Sequence, residues 1–345
     1  MKPIDLRSDT VTRPTPEMRR AMDAAPLGDD VLEGDPSVRA LEADVAGLLG
    51  KDAALFVPSG TMANLLAVRS QTQPGDEIIC DQECHIYYNE AAGFAAISGC
   101  SLSFTRGERG FFTAEDISAR VRADNEHFPR TSLVAIENTH NRGGGAVWPI
   151  EQLREVAEHA RSLGLRVHMD GARLWNACAK AGIEPAEYAA LADTVSVCFS
   201  KGLGCPVGSA VVGDSATIAR ARRFRKMVGG SMRQAGMLAG AARYALEHHR
   251  ERIADDHRRA RLLAEAIADV PGLTVDASKI ETNMVYFGVD PSLGSAADFC
   301  AGLDDRVRML AESPQGVRAV LHLHISDEDI EAAAGCIRDQ ASGSV

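Results

Sequence analysis

Short apolar runs alternate with longer stretches in which apolar residues recur every three or four positions, and this alternation restricts the chain to few architectures. "AALFV" at 53–57 is followed by the small-residue turn "PSGT" and a helical pattern beginning around Thr61. "DEIICD", "CSLSFTR", "TSLVAIENTH" and "LRVHMDGA" repeat the strand signature, and "IEQLREVAEHARSLG" between the last two is an amphipathic helix. "TVSVCFSKGL" and "GSAVVG" add two strands. Such a succession predicts an α/β sheet, predominantly parallel and covered on both sides.

Ahead of this region, "PTPEMRRAMD" predicts a short helix, and residues 37–49 predict another that stops near Gly50. Helical spacing runs from about Ser215 to Val270 and is expected to break once, at the glycines of "VGGSMRQAG". Beyond Pro271 the pattern changes to the short strands "GLTVD", "TNMVYFGV", "VRML" and "VRAVLHL", which predicts a smaller α+β domain at the C-terminus. The expected division is an N-terminal arm with loops (1–35), a large domain (36–255) and a small domain (256–345).

A formal net charge of −11 disfavours a nucleic-acid or membrane-surface partner, since both present anionic phosphate. The basic stretch "ARARRFRKM" at 219–227 reads either as a local phosphate contact or as a solvated helix face. "MKPIDLRSDT" reaches polar and acidic residues before any long apolar run, so no secretory leader is expected, and a cytoplasmic location is. The eight cysteines form no CxxC pair. Cys80, Cys84 and His85 raise a zinc reading without a second compact ligand pair. Reduced thiols and no metal are the expectation.

Three fragments could carry chemistry. Lys201 in "SVCFSKGLGCPVGSA" reads either as the solvated end of a strand or as an amine that joins an aldehyde cofactor, with Gly202 and Gly204 letting the backbone pass close by. Asp170 in "VHMDGARLWNA" reads either as a cap for the helix beginning near Arg173 or as the carboxylate facing a protonated pyridine nitrogen, the partner that pyridoxal phosphate requires. Gly60 and Thr61 in "PSGTMAN" lie at a strand-to-helix turn whose free backbone amides suit a phosphate. The spacing is not that of a Walker loop, and no G-x-G-x-x-G follows the first strand. His85 reads as a ring-stacking or proton-moving group or as a structural histidine; Arg173, Arg233 and Arg318 read as anion holders or surface ion pairs.

Taken in order, "LRSDTVTRPT", "PSGTMAN", "ENTHNRGGGAVWP", "HMDGARLWNA", "SKGLGCPVGS" and "GGSMRQAG" resemble the low-specificity L-threonine aldolases, pyridoxal-phosphate enzymes of fold type I. The resemblance runs from the N-terminus to "VRAVLHLHIS". It implies cleavage of L-threonine and L-allo-threonine to glycine and acetaldehyde through a cofactor aldimine. A phenylserine or other β-hydroxy-amino-acid aldolase, or a β-eliminating lyase, is the alternative. It also implies roles for single residues. Lys201 would bind the cofactor covalently, Asp170 would pair with its pyridine nitrogen, and His85 would stack on its ring. Gly60, Thr61 and Arg233 would hold the phosphate, with Lys226 contributed by a neighbouring chain. Ser8, Arg173 and Arg318 would fix the amino-acid carboxylate, Arg173 also lying beside the cofactor, and His85 or His127 would handle the hydroxyl proton. A homotetramer of active dimers is implied as well. The chain departs from the family at "DDVLEGDP", where Leu32 stands in place of an aromatic residue. Leucine keeps apolar contact and loses ring stacking, so the preference at Cβ is expected to differ.

Overall fold

The computed structural model describes residues 3–343. Seven strands build the main sheet: β1 (Ala53–Val57), β2 (Glu77–Asp81), β3 (Ser101–Thr105), β4 (Thr131–Glu137), β5 (Arg166–Gly171), β6 (Thr194–Cys198) and β7 (Ser209–Gly213). Their order across the sheet is β1-β7-β6-β5-β4-β2-β3, and within it β7 alone runs against its neighbours.

The helices that matter for packing are α1 (Pro16–Asp23), α2 (Pro36–Leu48), α3 (Gly60–Gln71), α4 (Ile150–Ser162), α5 (Leu174–Ala181), α6 (Ser215–Met227), α7 (Gly236–His248), α8 (Ile253–Ile267) and α9 (Asp327–Ser342). Every residue of β4, β6 and β7 is buried, as expected where helices cover both faces. Because successive side chains point to opposite faces, each strand feeds two cores. Val134, Ile136, Val167 and Met169 join apolar residues of α2, α4, α5 and α7. Leu133 and Ala135 pack with Ile78 and Cys80 on the other side, where Leu55, Val57 and Val211 meet α3 and α6.

A separate core unites α8 and α9 with an antiparallel sheet of order β10-β11-β9-β8, made by β8 (Leu273–Thr274), β9 (Met284–Val289), β10 (Leu310–Ala311) and β11 (Gly316–Val320). The fold is therefore a large, mainly parallel α/β layer with a smaller C-terminal α+β region.

Two expectations need correcting. The segment "VRML" is not one strand: Val307–Arg308 pairs in parallel with Ile4–Asp5, and Leu310–Ala311 joins β11. Leu6 of the arm is buried in the C-terminal core, so the chain's start is fastened to its end. The long helical region breaks twice. Its second break, at residues 249–252, contains neither glycine nor proline. There the His249 ring Nδ1 meets the Leu203 carbonyl at 2.8 Å, a tertiary contact that sequence periodicity does not register.

Candidate active site

The candidate residues collect at the carboxyl ends of the parallel strands, where an open α/β sheet leaves its crevice. Asp170 is the penultimate residue of β5, Glu137 ends β4, Lys201 follows β6 by three positions, and Gly60 opens α3 just after β1.

Asp170 is 2 % exposed and does not cap α5. One carboxylate oxygen accepts from the Ala172 amide at 3.0 Å and the other from Asn64 Nδ2 at 2.8 Å. Burial pushes its pKa up, but the positive charges of His85 and Lys201 outweigh burial and hold the carboxyl below its ordinary range. It is a fixed, ionised carboxylate. His85 opens the short helix His85–Tyr88, its amide donating to Glu137 Oε2 at 2.6 Å and its Nδ1 lying 2.7 Å from Glu90 Oε1. Burial lowers the histidine's pKa, yet Glu90, Asp170 and Glu137 together raise it above its ordinary value. Burial also pushes Glu90 up. The ligating groups that cluster around His85 are Glu90 and Asp170, with neither Cys80 nor Cys84 among them, and all eight cysteines are free thiols.

At the start of α3, Ser59 caps the helix by accepting from the Met62 amide at 3.2 Å. The Gly60 and Thr61 amides lie in the first turn, which has no intrahelical acceptors to offer them, and the helix dipole adds positive potential there. A side chain at position 60 would place its Cβ 2.8 Å from Cys198 Sγ, so only glycine lets this turn approach β6 so closely. Gly204 takes a φ of +80°, the left-handed region that favours glycine, and a Cβ there would stand 2.7 Å from the Leu323 side chain; Gly202 is buried, with Asn176 Oδ1 4.0 Å from where a Cβ would stand.

Two arginines meet over one amide. Arg173 is 6 % exposed and clasps the fully buried Asp9 through Nε at 2.8 Å and NH2 at 2.7 Å, while NH1 reaches Asn141 Oδ1 at 3.5 Å. Arg318, on β11, donates through NH1 to the same Asn141 oxygen at 3.3 Å and to Glu312 at 2.9 Å. Its NH2 reaches the Arg7 carbonyl at 3.3 Å, and its buried Nε has no partner among the described residues. An unpaired guanidinium N–H, 8 % exposed as a residue, invites an incoming acceptor such as a carboxylate. Ser8 caps the 3₁₀ turn that carries Asp9 and sits 3.5 Å from its carboxylate.

The remaining expected residues lie apart by their contacts. Arg233 is half-exposed and paired with Asp29 at 3.0 Å. Lys226 is exposed near the end of α6, and His127 lies on an exposed loop with its ring on Asn125 at 2.8 Å. Leu32 is 77 % exposed. Asp9, Asn64, Glu90, Asn141 and Glu312 are the polar residues that sequence reading missed. Asp9, Asn64 and Asn141 fall inside motifs already quoted, but the signal that marks all five is contact across the fold.

The donor set suits pyridoxal phosphate: an ionised buried carboxylate for the pyridine nitrogen, open helix amides for the phosphate, and an amine after the neighbouring strand for the aldehyde. The comparisons agree. Residues 5–289 match the family model described as beta-eliminating lyase. The low-specificity L-threonine aldolase of Escherichia coli K12 is 42 % identical over 332 residues, covering 96 % of this chain and 97 % of that protein. The low-specificity L-threonine aldolase 1 of Arabidopsis thaliana is 39 % identical over 344 residues, covering 98 % and 96 %. In fold, the threonine aldolase structure from Leishmania major superposes with a TM-score of 0.82 at 19 % identity, covering 98 % of this chain and all of the other. The chain belongs to the low-specificity L-threonine aldolase family, pyridoxal-phosphate-dependent enzymes of fold type I.

Proposed function

We propose that this enzyme cleaves L-threonine, and L-allo-threonine with it, reversibly to glycine and acetaldehyde. The observation that carries the reading is the ionised Asp170 carboxylate under the charge of Lys201, together with the Arg173–Asn141–Arg318 group. When bound, pyridoxal phosphate supplies an electron sink for the charge that develops at Cα as the Cα–Cβ bond breaks.

The protein's own residues do the rest. Asp170 would hold negative charge at the ring nitrogen, and the Gly60 and Thr61 amides, with Arg233, would hold the phosphate. Lys226 adds to this from a neighbouring chain. Arg318 and Arg173, with Ser8, grip the substrate carboxylate. That grip would orient the substrate and so select which Cα bond is broken. His85 would pack against the cofactor and take the hydroxyl proton; His127 is the second candidate for that proton.

Incubation with either diastereomer should release glycine and acetaldehyde in equal amounts, and the rate ratio ranks the two substrates. Pyruvate and ammonia from serine, in place of these products, would favour the β-eliminating reading, which the family model's description supports. Exposed Leu32 raises phenylserine as a further substrate.

The base assignment carries its own expectation. A histidine that must be unprotonated to accept a proton gives activity that rises with pH through its pKa. Glu90 helps raise that pKa, so the acid limb should lie above the ordinary histidine value of 6.5. Glu90→Gln should move the limb to lower pH, measured as kcat/KM against pH. An unmoved limb would take the role from His85, and loss of the limb in His127→Ala would give it to His127.

The same reading includes a homotetramer of active dimers, a cytoplasmic location, β-hydroxy amino acids and aldehydes as partners with neither nucleic acid nor membrane among them, and the division at residues 35/36 and 255/256. Among the described residues, no helix is long and apolar enough to cross a membrane.

A further inference from the structure

Behind Asp170 lies a chain of buried polar groups that the reaction does not touch. Asn64 Nδ2 donates to both Asp170 Oδ2 at 2.8 Å and Glu90 Oε1 at 2.7 Å. Asn64 Oδ1 faces Ser196 Oγ at 2.7 Å and His168 Nε2 at 3.1 Å. The other nitrogen of His168 lies 2.9 Å from Thr194 Oγ1, which in turn accepts from Gln71 Nε2 at 2.7 Å. Asn64, His168, Asp170, Thr194 and Ser196 are each at most 2 % exposed, so water does not share these bonds.

Donor and acceptor counting fixes every orientation in this chain. Two carboxylate oxygens can only accept, so the amide nitrogen of Asn64 must face them. Its oxygen then requires donors, which are the Ser196 hydroxyl and the Nε2–H of His168. With the one ring proton on Nε2, His168 Nδ1 accepts, and the Thr194 hydroxyl donates to it while its oxygen accepts from Gln71. This needs a neutral imidazole, and burial lowers the pKa of His168 to about 4. The hydrogen bonds therefore run one way, from Gln71 through Thr194, His168 and Asn64 to Asp170.

We propose that His168 is a positioning residue for the cofactor: through Asn64 it fixes the rotation of the Asp170 carboxylate that meets the pyridine nitrogen, and holds Glu90, the partner of His85, with the same amide. The supporting donor is neutral, so it orients Asp170 without cancelling the negative charge that the ring nitrogen needs. One amide thus ties the group at the ring nitrogen to the group over the ring face. The inference rests on the placement of the ring nitrogen at Asp170.

The test compares wild type, His168→Leu and His168→Gln. Leucine fills the space and removes the donor; glutamine can present an N–H to Asn64 and an oxygen to Thr194. Equilibrium dialysis against pyridoxal phosphate should show affinity about tenfold weaker or more in His168→Leu, with recovery to within about threefold in His168→Gln. The visible band of the bound cofactor should shift in the leucine variant and return in the glutamine variant, which a purely structural defect would not produce. If His168→Leu does not fold, Thr194→Val decides, since it removes the donor to Nδ1 and should weaken binding in the same direction. Wild-type affinity and an unshifted band in a folded His168→Leu or Thr194→Val protein would overturn the proposal. Failure of the wild type itself to bind pyridoxal phosphate would instead remove the cofactor placement on which it rests.

Discussion

Lys201→Ala should lose aldol cleavage by roughly 10⁴-fold or more while keeping its fold, because it removes the group that acts covalently and little that holds the structure. The side chain is half-buried and follows β6 in an irregular turn. Its backbone carbonyl accepts from Thr12 Oγ1 at 3.1 Å and from the Gly204 amide at 2.8 Å, and alanine retains both contacts. Removing the amine also takes one positive charge from beside Asp170 and Asp9, both of which it helps to keep ionised. The cofactor should still dock through its phosphate and ring nitrogen, but without the visible band of the lysine-linked form. Turnover, absorption spectrum and thermal midpoint measured on one preparation decide the matter. Ordinary turnover in a folded Lys201→Ala protein would end the covalent assignment.

The parts of this molecule that a linear reading reveals are those whose reason is local. Strands buried on both faces read as unbroken apolar runs, so β4, β6 and β7 were visible, and Asp170 and Lys201 stood out as polar residues at the ends of such runs. Gly60 and Thr61 were visible through the strand-to-helix turn. Asp9 and Asn141 were not, although Asp9 directly follows Ser8. Their roles come from partners more than thirty residues away: Arg173 for Asp9, and Arg173 with Arg318 for Asn141. Asn64 and His168 are hidden for the same reason, since a helix residue and a strand residue meet only when α3 packs on β5 and β6. The break at residues 249–252 shows the converse. Its residues favour helix continuation, and a contact with Leu203 overrides them.

Asp9 carries the second large expectation. It is fully buried, and its two oxygens take Arg173 Nε and NH2, with Asn283 Nδ2 adding a third bond at 3.3 Å. Asn at this position would keep the shape but turn an amide N–H₂ toward one arm of the guanidinium. A buried cation left without its partner typically costs about 3–5 kcal/mol, so Asp9→Asn should lower unfolding free energy at neutral pH by an amount of that order. Burial pushes the Asp9 carboxyl up, but Arg173 overrides this and holds it far below the ordinary carboxylate range. A group depressed in this way stabilises the folded state above its unfolded pKa of about 4, and the contribution is lost as pH falls through the folded value. The gap between wild type and Asp9→Asn should therefore be full at pH 7 and narrow below about pH 4, measured by urea unfolding at several pH values. Function should follow, because Asp9 fixes which edge of Arg173 is left to face Asn141 and the substrate carboxylate. KM for L-threonine should rise more than kcat falls, since what is lost is a grip made in the ground state as well as in the transition state. A variant as stable as wild type at pH 7, with the same acid dependence and the same KM, would mean that Arg173 is held by something other than Asp9.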